Sequence, residues 1–291
     1  MALRLALAAA ALLFIVSIVD WQSIAHQGAW LPLVILVGVC ISALFVPLLA
    51  LRWMTLVRVG STGRLSYLSA LRGYFTGIFF NLALPGAIGG DLVRTHHASV
   101  HAGIGHARSG LIVVTERLFG LLSICLMAGI GLAMNDRLSA FTTIPRFEVV
   151  IALIVVTGVV VGAVAVGRRY IGIPMTLVPL LLLISAIGQS SDLLLVHLYG
   201  RFLSVHIPLE TLLIVVPLVF IASVLPLVPG GHGAREVTLA GLLALSGVMA
   251  SEAGLIALML FLTKIGLGLV GMGFFLHGNR TVTSLASPEP K

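Results

Sequence analysis

GIFFNLALPGAIGGDLVRTH, residues 77–96, decides how the chain is read. Its centre, Leu84-Pro85-Gly86-Ala87-Ile88-Gly89-Gly90-Asp91, is mostly apolar yet predicts a break in the helix. Proline removes an amide donor and clashes with the preceding turn, and the paired glycines weaken the next turn as well. The same signature returns in FIASVLPLVPGGHGAREVTLAG, residues 220–241, where Pro229-Gly230-Gly231-His232-Gly233-Ala234-Arg235-Glu236 aligns on the first without a gap. Pro85 and Pro229 stand 144 residues apart, about half of the 291.

Hydrophobic residues make up 59% of the chain and charged residues 9%, too little polar surface to clothe a soluble globule. The composition is that of an integral membrane protein. Cys40 and Cys125 lie inside apolar runs, which argues against a disulfide framework or a thiolate metal site. A net charge of +7 would suit nucleic acid, but the basic residues sit between apolar spans without interleaved aromatics. Attraction to anionic lipid head groups explains the excess more simply.

Ala2 to Val19 reads as a first span, with a cleaved signal peptide as the alternative for residues 1–25 because Ser23-Ile24-Ala25 loosely resembles a cleavage site. Leu31 to Leu51 is the second span. Arg52, Arg58, Arg64 and Arg72 come after it without an acidic residue and place that loop in the cytoplasm. Gly73 to Arg108 is too long for one span and too interrupted for two. It predicts a re-entrant helical hairpin entered from the cytoplasm. Ser109 to Met134 goes out, Glu148 to Val166 returns to Arg168-Arg169, and Pro174 to Tyr199 goes out again. Thr211 to Ser251 holds the second hairpin, entered from outside, and Gly254 to His277 returns. Both termini are then cytoplasmic, and nine Lys and Arg fall inside against three outside.

Shifted by 144 residues, the span at 31–51 lands on 175–195 and that at 109–134 on 253–278. Three crossings per half start the second half from the opposite face, so the repeat is inverted. The predicted fold is an all-α polytopic membrane protein of the inner cell membrane. It has two inverted repeats, residues 1–144 and 145–280, each with three transmembrane helices and one re-entrant hairpin, then a polar cytoplasmic tail, 281–291. Inverted repeats with broken helices mark transporters whose site lies near the midplane. The bland alternative is chance similarity of two Pro-Gly breaks.

At each break the backbone must turn within the bilayer, where unpaired amides are tolerated only against protein or a wet cavity. The predicted turns are Pro85, Gly86, Gly89 and Gly90, and Pro229, Gly230, Gly231 and Gly233. Asp91 is placed to cap the half-helix after its turn, with Arg94 one turn in; Arg235 and Glu236 hold comparable positions in the second hairpin. The structural alternative is two tight packing sites with Asp91 and Glu236 as caps. Glu116-Arg117, Asp192 and Lys264 sit inside apolar spans. A charge at the bilayer centre costs about 2.5–3.5 kcal/mol on the insertion scale, so each needs a partner or water. Glu116, Asp192 and Lys264 are candidates for a polar head group or a proton relay; a purely structural ion pair competes for Glu116 and Arg117.

His97 and His101, at i and i+4, share a helix face, but no Glu comes after the first as in a zinc protease. No metal site and no cofactor is predicted. No Ser-His-Asp order, nucleotide loop or carboxylate pair can be defended from spacing.

Asn81 with Leu84-Pro85, then Gly89-Gly90-Asp91 and Arg94, then Glu116-Arg117, then Pro226, Pro229-Gly230-Gly231, Gly233 and Glu236 resemble the transmembrane domain of the lysylphosphatidylglycerol synthetase and flippase family. The resemblance covers nearly the whole chain. It implies a membrane domain that translocates a lipid, in a family whose bifunctional members carry a separate soluble synthetase domain and whose other members are linked to glycolipid or hopanoid pathways. About fourteen residues lie beyond the last span, which leaves no room for the synthetase. The expectation is a non-enzymatic lipid flippase. It binds a polar-headed phospholipid or glycolipid through Asn81, Asp91, Arg94, Glu116, Arg117, Asp192, Arg235, Glu236 and Lys264. Its partners are membrane lipids and a separate lipid-modifying enzyme, with no nucleic acid, and a homodimer stays open. The alternatives are an intramembrane enzyme using carboxylates such as Asp91 and Glu236 as acid and base, or a scaffold for a lipid-modifying partner.

Overall fold

The computed structural model describes residues 13–19, 28–61, 63–83, 89–134, 146–224 and 233–286. Among the described residues, a short helical piece at 13–18 precedes nine helices: α1 Leu31–Gly60, α2 Tyr67–Ala83, α3 Gly89–Ala102, α4 His106–Met134, α5 Arg146–Ile171, α6 Val178–Phe202, α7 Leu209–Val224, α8 Ala234–Leu245 and α9 Ala250–Ala286. There is no strand among the described residues. Five stretches are long and apolar enough to cross a bilayer: Leu31–Gly60, His106–Met134, Val150–Ile171, Met175–Phe202 and Ala250–His277. The chain is a multi-pass membrane protein.

The remaining helices are shorter. Exposed side chains on α5, among them Ile151, Ile154 and Val159, illustrate why the outer spans read as continuous apolar runs: they meet acyl chains on one side and protein on the other. The two central spans are more enclosed. Of their most apolar windows, 67% is buried in α4 and 50% in α9, against 17–22% in the other three.

α4 begins at His106 and α9 at Ala250, 144 residues on; α3 begins at Gly89 and α8 at Ala234, 145 residues on. The packing shows the same exchange. α2 lies on α9 and α4 on α7; α1 lies on α9 and α6 on α4; α2 pairs with α3 as α7 with α8, and α3 with α4 as α8 with α9. α1 and α6 also pack together. Apolar clusters form around Trp53, Phe119 and Ile171, around Tyr199, Leu243 and Ile256, and around Val46, Phe75 and Leu267, each drawing on both halves of the chain. Where α1, α6 and α9 meet, the Tyr199 hydroxyl bonds Thr263 Oγ1 over Gly38, where a Cβ would strike that hydroxyl.

One boundary differs from the sequence reading in a way that matters. The second span does not end at Leu51: α1 continues to Gly60, and Arg52, read as a cytoplasmic loop residue, is 6% exposed inside the fold. The apolar residues on either side of Arg52 keep the helix in contact with its neighbours, and buried ionic partners compensate the charge.

Candidate functional site

α4 brings the carboxylate of Glu116 into the protein, 1% exposed, where it is clamped by two guanidinium groups. Arg52 Nη2 on α1 donates to Oε1 at 2.7 Å and Arg94 Nη1 on α3 donates to Oε2 at 2.5 Å. The Tyr74 hydroxyl on α2 donates to Oε1 at 3.3 Å. Arg94 spans two acids, since Nη2 donates to Asp91 Oδ1 at 2.8 Å, one turn back on the same helix. Arg117 Nε pairs with the other Asp91 oxygen. Arg52 Nη1 reaches α6, donating to Ser185 Oγ at 2.6 Å. The Arg94 guanidinium also lies over the Tyr74 ring, 4.7 Å from its centroid. Removal of Glu116 would leave the Arg52 guanidinium without its acid away from water.

α2 and α3 are held together by backbone and amide chemistry. Gly90 N–H donates to Asn81 Oδ1 at 2.7 Å, which satisfies one of the free amides at the start of α3. A Cβ on Gly90 would strike the Gly77 carbonyl oxygen and the Asn81 side chain, so glycine is what lets α2 and α3 approach. Asp91, expected as a cap, instead turns its two oxygens to Arg94 and Arg117. Glu236 does cap: its Oε2 accepts the Gly233 N–H at the start of α8. Gly233 has φ 91, a left-handed backbone that a side chain would strain.

A second cluster stands on the counterpart helices. Asp192 on α6 accepts from Arg235 on α8 through Oδ2 and from Lys264 on α9 through Oδ1. The Arg235 and Lys264 side chains are 20% and 25% exposed, more than Arg52 and Arg94 at 7% and 10% and less than Arg117 at 39%. Arg235 Nε is buried and has no hydrogen-bond partner. Ser185, Gln189 and Asp192 fall at i, i+4 and i+7 and share one face of α6. That face joins the two clusters over about 10 Å at 1.5 Å per residue. Gln189 faces Gly120 of α4, where a Cβ would lie 3.3 Å from the side-chain nitrogen.

The family model described as lysylphosphatidylglycerol synthase TM region matches residues 1–179 and 174–271. The chain belongs to the lysylphosphatidylglycerol synthase transmembrane family. Every residue of both clusters falls inside those matched segments. No curated protein and no solved structure matches the chain.

In this member of the lysylphosphatidylglycerol synthase transmembrane family, the nine expected site residues fall into three groups. Asp91, Arg94, Glu116 and Arg117 form the first cluster, Asp192, Arg235 and Lys264 the second, and Asn81 and Glu236 hold helix starts. The predicted turn residues Pro85, Gly86, Pro229, Gly230 and Gly231 lie outside the described residues. Arg52, Tyr74 and Ser185 escaped the sequence reading. A signal for Arg52 was present, since Trp53-Met54-Thr55-Leu56-Val57 continues the apolar run beyond it, the same criterion that picked out Glu116.

The histidine pair is explained without a metal. The His97 and His101 rings stack with centroids 4.0 Å apart, His101 Nδ1 bonds the His97 carbonyl oxygen, and His97 Nε2 bonds Ser69 Oγ at 2.9 Å. Among the described residues no group of three or more His, Cys, Asp or Glu could hold a metal ion. Outside the spans, burial and then the neighbouring His101 push the His97 imidazole down to about 4.

Proposed function

We propose that this protein is a lipid flippase that moves a polar-headed phospholipid or glycolipid between leaflets. The observation that carries the reading is the pair of ionic clusters on counterpart helices, α1, α3 and α4 for one and α6, α8 and α9 for the other. Charges this costly in a bilayer line substrate paths when they retain access, and Arg117, Arg235 and Lys264 do, at 39%, 20% and 25% exposure.

The exchange of packing partners at an offset of 144 residues supports an inverted repeat, 1–144 and 145–280. The lengths of the hairpin helices support re-entry. α2, α3, α7 and α8 have 17, 14, 16 and 12 residues, about 18–26 Å at 1.5 Å per residue, short of the ~30 Å hydrocarbon core. In this reading the head group enters between the hairpins while the acyl tails stay in lipid, and rocking of the halves exposes it alternately. The membrane is the inner cell membrane, with both termini cytoplasmic.

Reconstitution of the purified protein in vesicles with fluorescent head-group-labelled lipids tests it. Transbilayer movement above that of empty vesicles is expected for at least one lipid of a broad panel; none across the panel would defeat the reading. The acid–base alternative finds less support, because Asp91 is engaged by two arginines and Glu236 by the Gly233 amide.

A further inference from the structure

The sequence left the charge of the ligand open, because either the cations or the carboxylates of this site could face it. Their pairing decides between them. Both oxygens of Glu116, of Asp91 and of Asp192 already accept from arginine or lysine, and Glu236 accepts from the Gly233 amide. A cationic head group would have to displace an internal guanidinium or ammonium from a buried carboxylate. An anion has to share Arg235 and Lys264 with the one carboxylate of Asp192. The two clusters and Glu236 together hold five cations, Arg52, Arg94, Arg117, Arg235 and Lys264, against four carboxylates.

The second cluster sets two cations on one carboxylate, the first three on two. Arg235 and Lys264 share the single carboxylate of Asp192, both keep solvent access, and Arg235 Nε is a buried donor without an acceptor. The positive end of α8 starts two residues before Arg235, at Gly233, and adds to the attraction for negative charge. Lys264 commits one N–H to Asp192, and an ammonium has three to offer. A phosphate diester supplies what these groups lack: one delocalised negative charge and two free oxygens that accept from both at once.

We infer that Arg235 and Lys264 form a binding site for the phosphate of an anionic membrane lipid, with Asp192 holding the two cations in place between ligands. This rests on the lipid-transport reading for its setting, but it makes a separate claim about charge.

The test measures binding and transport independently. The full-length protein in detergent is titrated, with native mass spectrometry as the readout, with short-chain phosphatidylglycerol, phosphatidylcholine, diacylglycerol and a cationic trimethylammonium diacyl lipid. Phosphatidylglycerol is expected to bind at least tenfold tighter than diacylglycerol or the cationic lipid. Lys264→Met and Arg235→Gln should each lose tenfold or more of that affinity, and Lys264→Arg should keep most of it. Melting temperatures of all three variants establish that they are folded; Lys264→Arg keeps the claim testable where a neutral variant is not.

Equal or tighter binding of the cationic or uncharged lipid overturns the inference, as does unchanged phosphatidylglycerol affinity in both folded neutral variants. Inorganic phosphate that displaces the lipid at comparable concentration assigns the site to a free anion and overturns the lipid claim. Selective binding of phosphatidylglycerol without any transbilayer movement sinks the transport reading and leaves this one standing. Transport with no preference for anionic head groups sinks this one alone.

Discussion

Arg52 and Arg94 hold the Glu116 carboxylate from two different helices, at 2.7 Å and 2.5 Å, each on its own oxygen. One acid thereby ties α1, α3 and α4 together at a place from which water is excluded. The arrangement is asymmetric in energy: the intact cluster offsets its own desolvation, and a broken one strands charge.

Glu116→Gln should therefore destabilise the protein by about 3–5 kcal/mol, the range for a buried pair that loses one partner. Thermal denaturation in detergent measures it. Arg52→Met in the Glu116→Gln background should recover part of the loss, because it removes one of the stranded cations. A Glu116→Gln protein that melts with the wild type would mean the carboxylate is not what joins these helices.

Gly90→Ala should cost about 1–3 kcal/mol, the usual range for overpacking. The added methyl group meets the Gly77 carbonyl, which is backbone and cannot rotate away, and crowds the Asn81 amide that satisfies α3. The same measurement on Gly241→Ala serves as a control, since nothing lies near a Cβ there. Equal melting temperatures for the two variants would show that the hairpin is not closely packed.

The proposed inverted topology makes a labelling prediction. Cysteines at His101, at the end of α3, and at Met249, before α9, should react with a membrane-impermeant maleimide from opposite faces of sealed vesicles, in a background with Cys40→Ser. Both positions are exposed. Arg169→Cys should label with His101→Cys, and Arg201→Cys with Met249→Cys. His101 and Met249 labelled from one face would remove the inversion and with it the main support for alternating access.

Stability should fall with acid in a window set by His97. Its imidazole sits at about 4 in the fold, below the ordinary 6.5, so between these values the unfolded chain binds more protons than the native one. Stability is full above pH 6.5 and declines as pH drops toward 4. His97→Gln should flatten that slope in melting curves recorded from about pH 7.5 to 4.5, and an unchanged slope would exclude His97 as its source.

The broken stretches illustrate how far sequence carries. Pro85 and Pro229, 144 residues apart, predicted two hairpins; both lie outside the described residues, and described helices begin after them at Gly89 and Ala234. Glu116, Asp192 and Lys264 stood out because a charge in an apolar run needs a partner, and all three have one. Arg52 was missed because a run of arginines after an apolar span reads as a loop, although Trp53 to Val57 continue the apolar run beyond it.

Composition and spacing alone determined that this chain is an all-helical multi-pass membrane protein and where most of its long apolar helices lie. These are local or periodic properties, set by the length of an apolar run and the placing of Pro and Gly. Only the tertiary structure decided which charge meets which. Arg52 finds Ser185 across 133 residues and Lys264 finds Asp192 across 72, distances over which sequence spacing says nothing. Pairings of that kind depend on the rotation of each helix about its axis, and that rotation is settled by packing against neighbours.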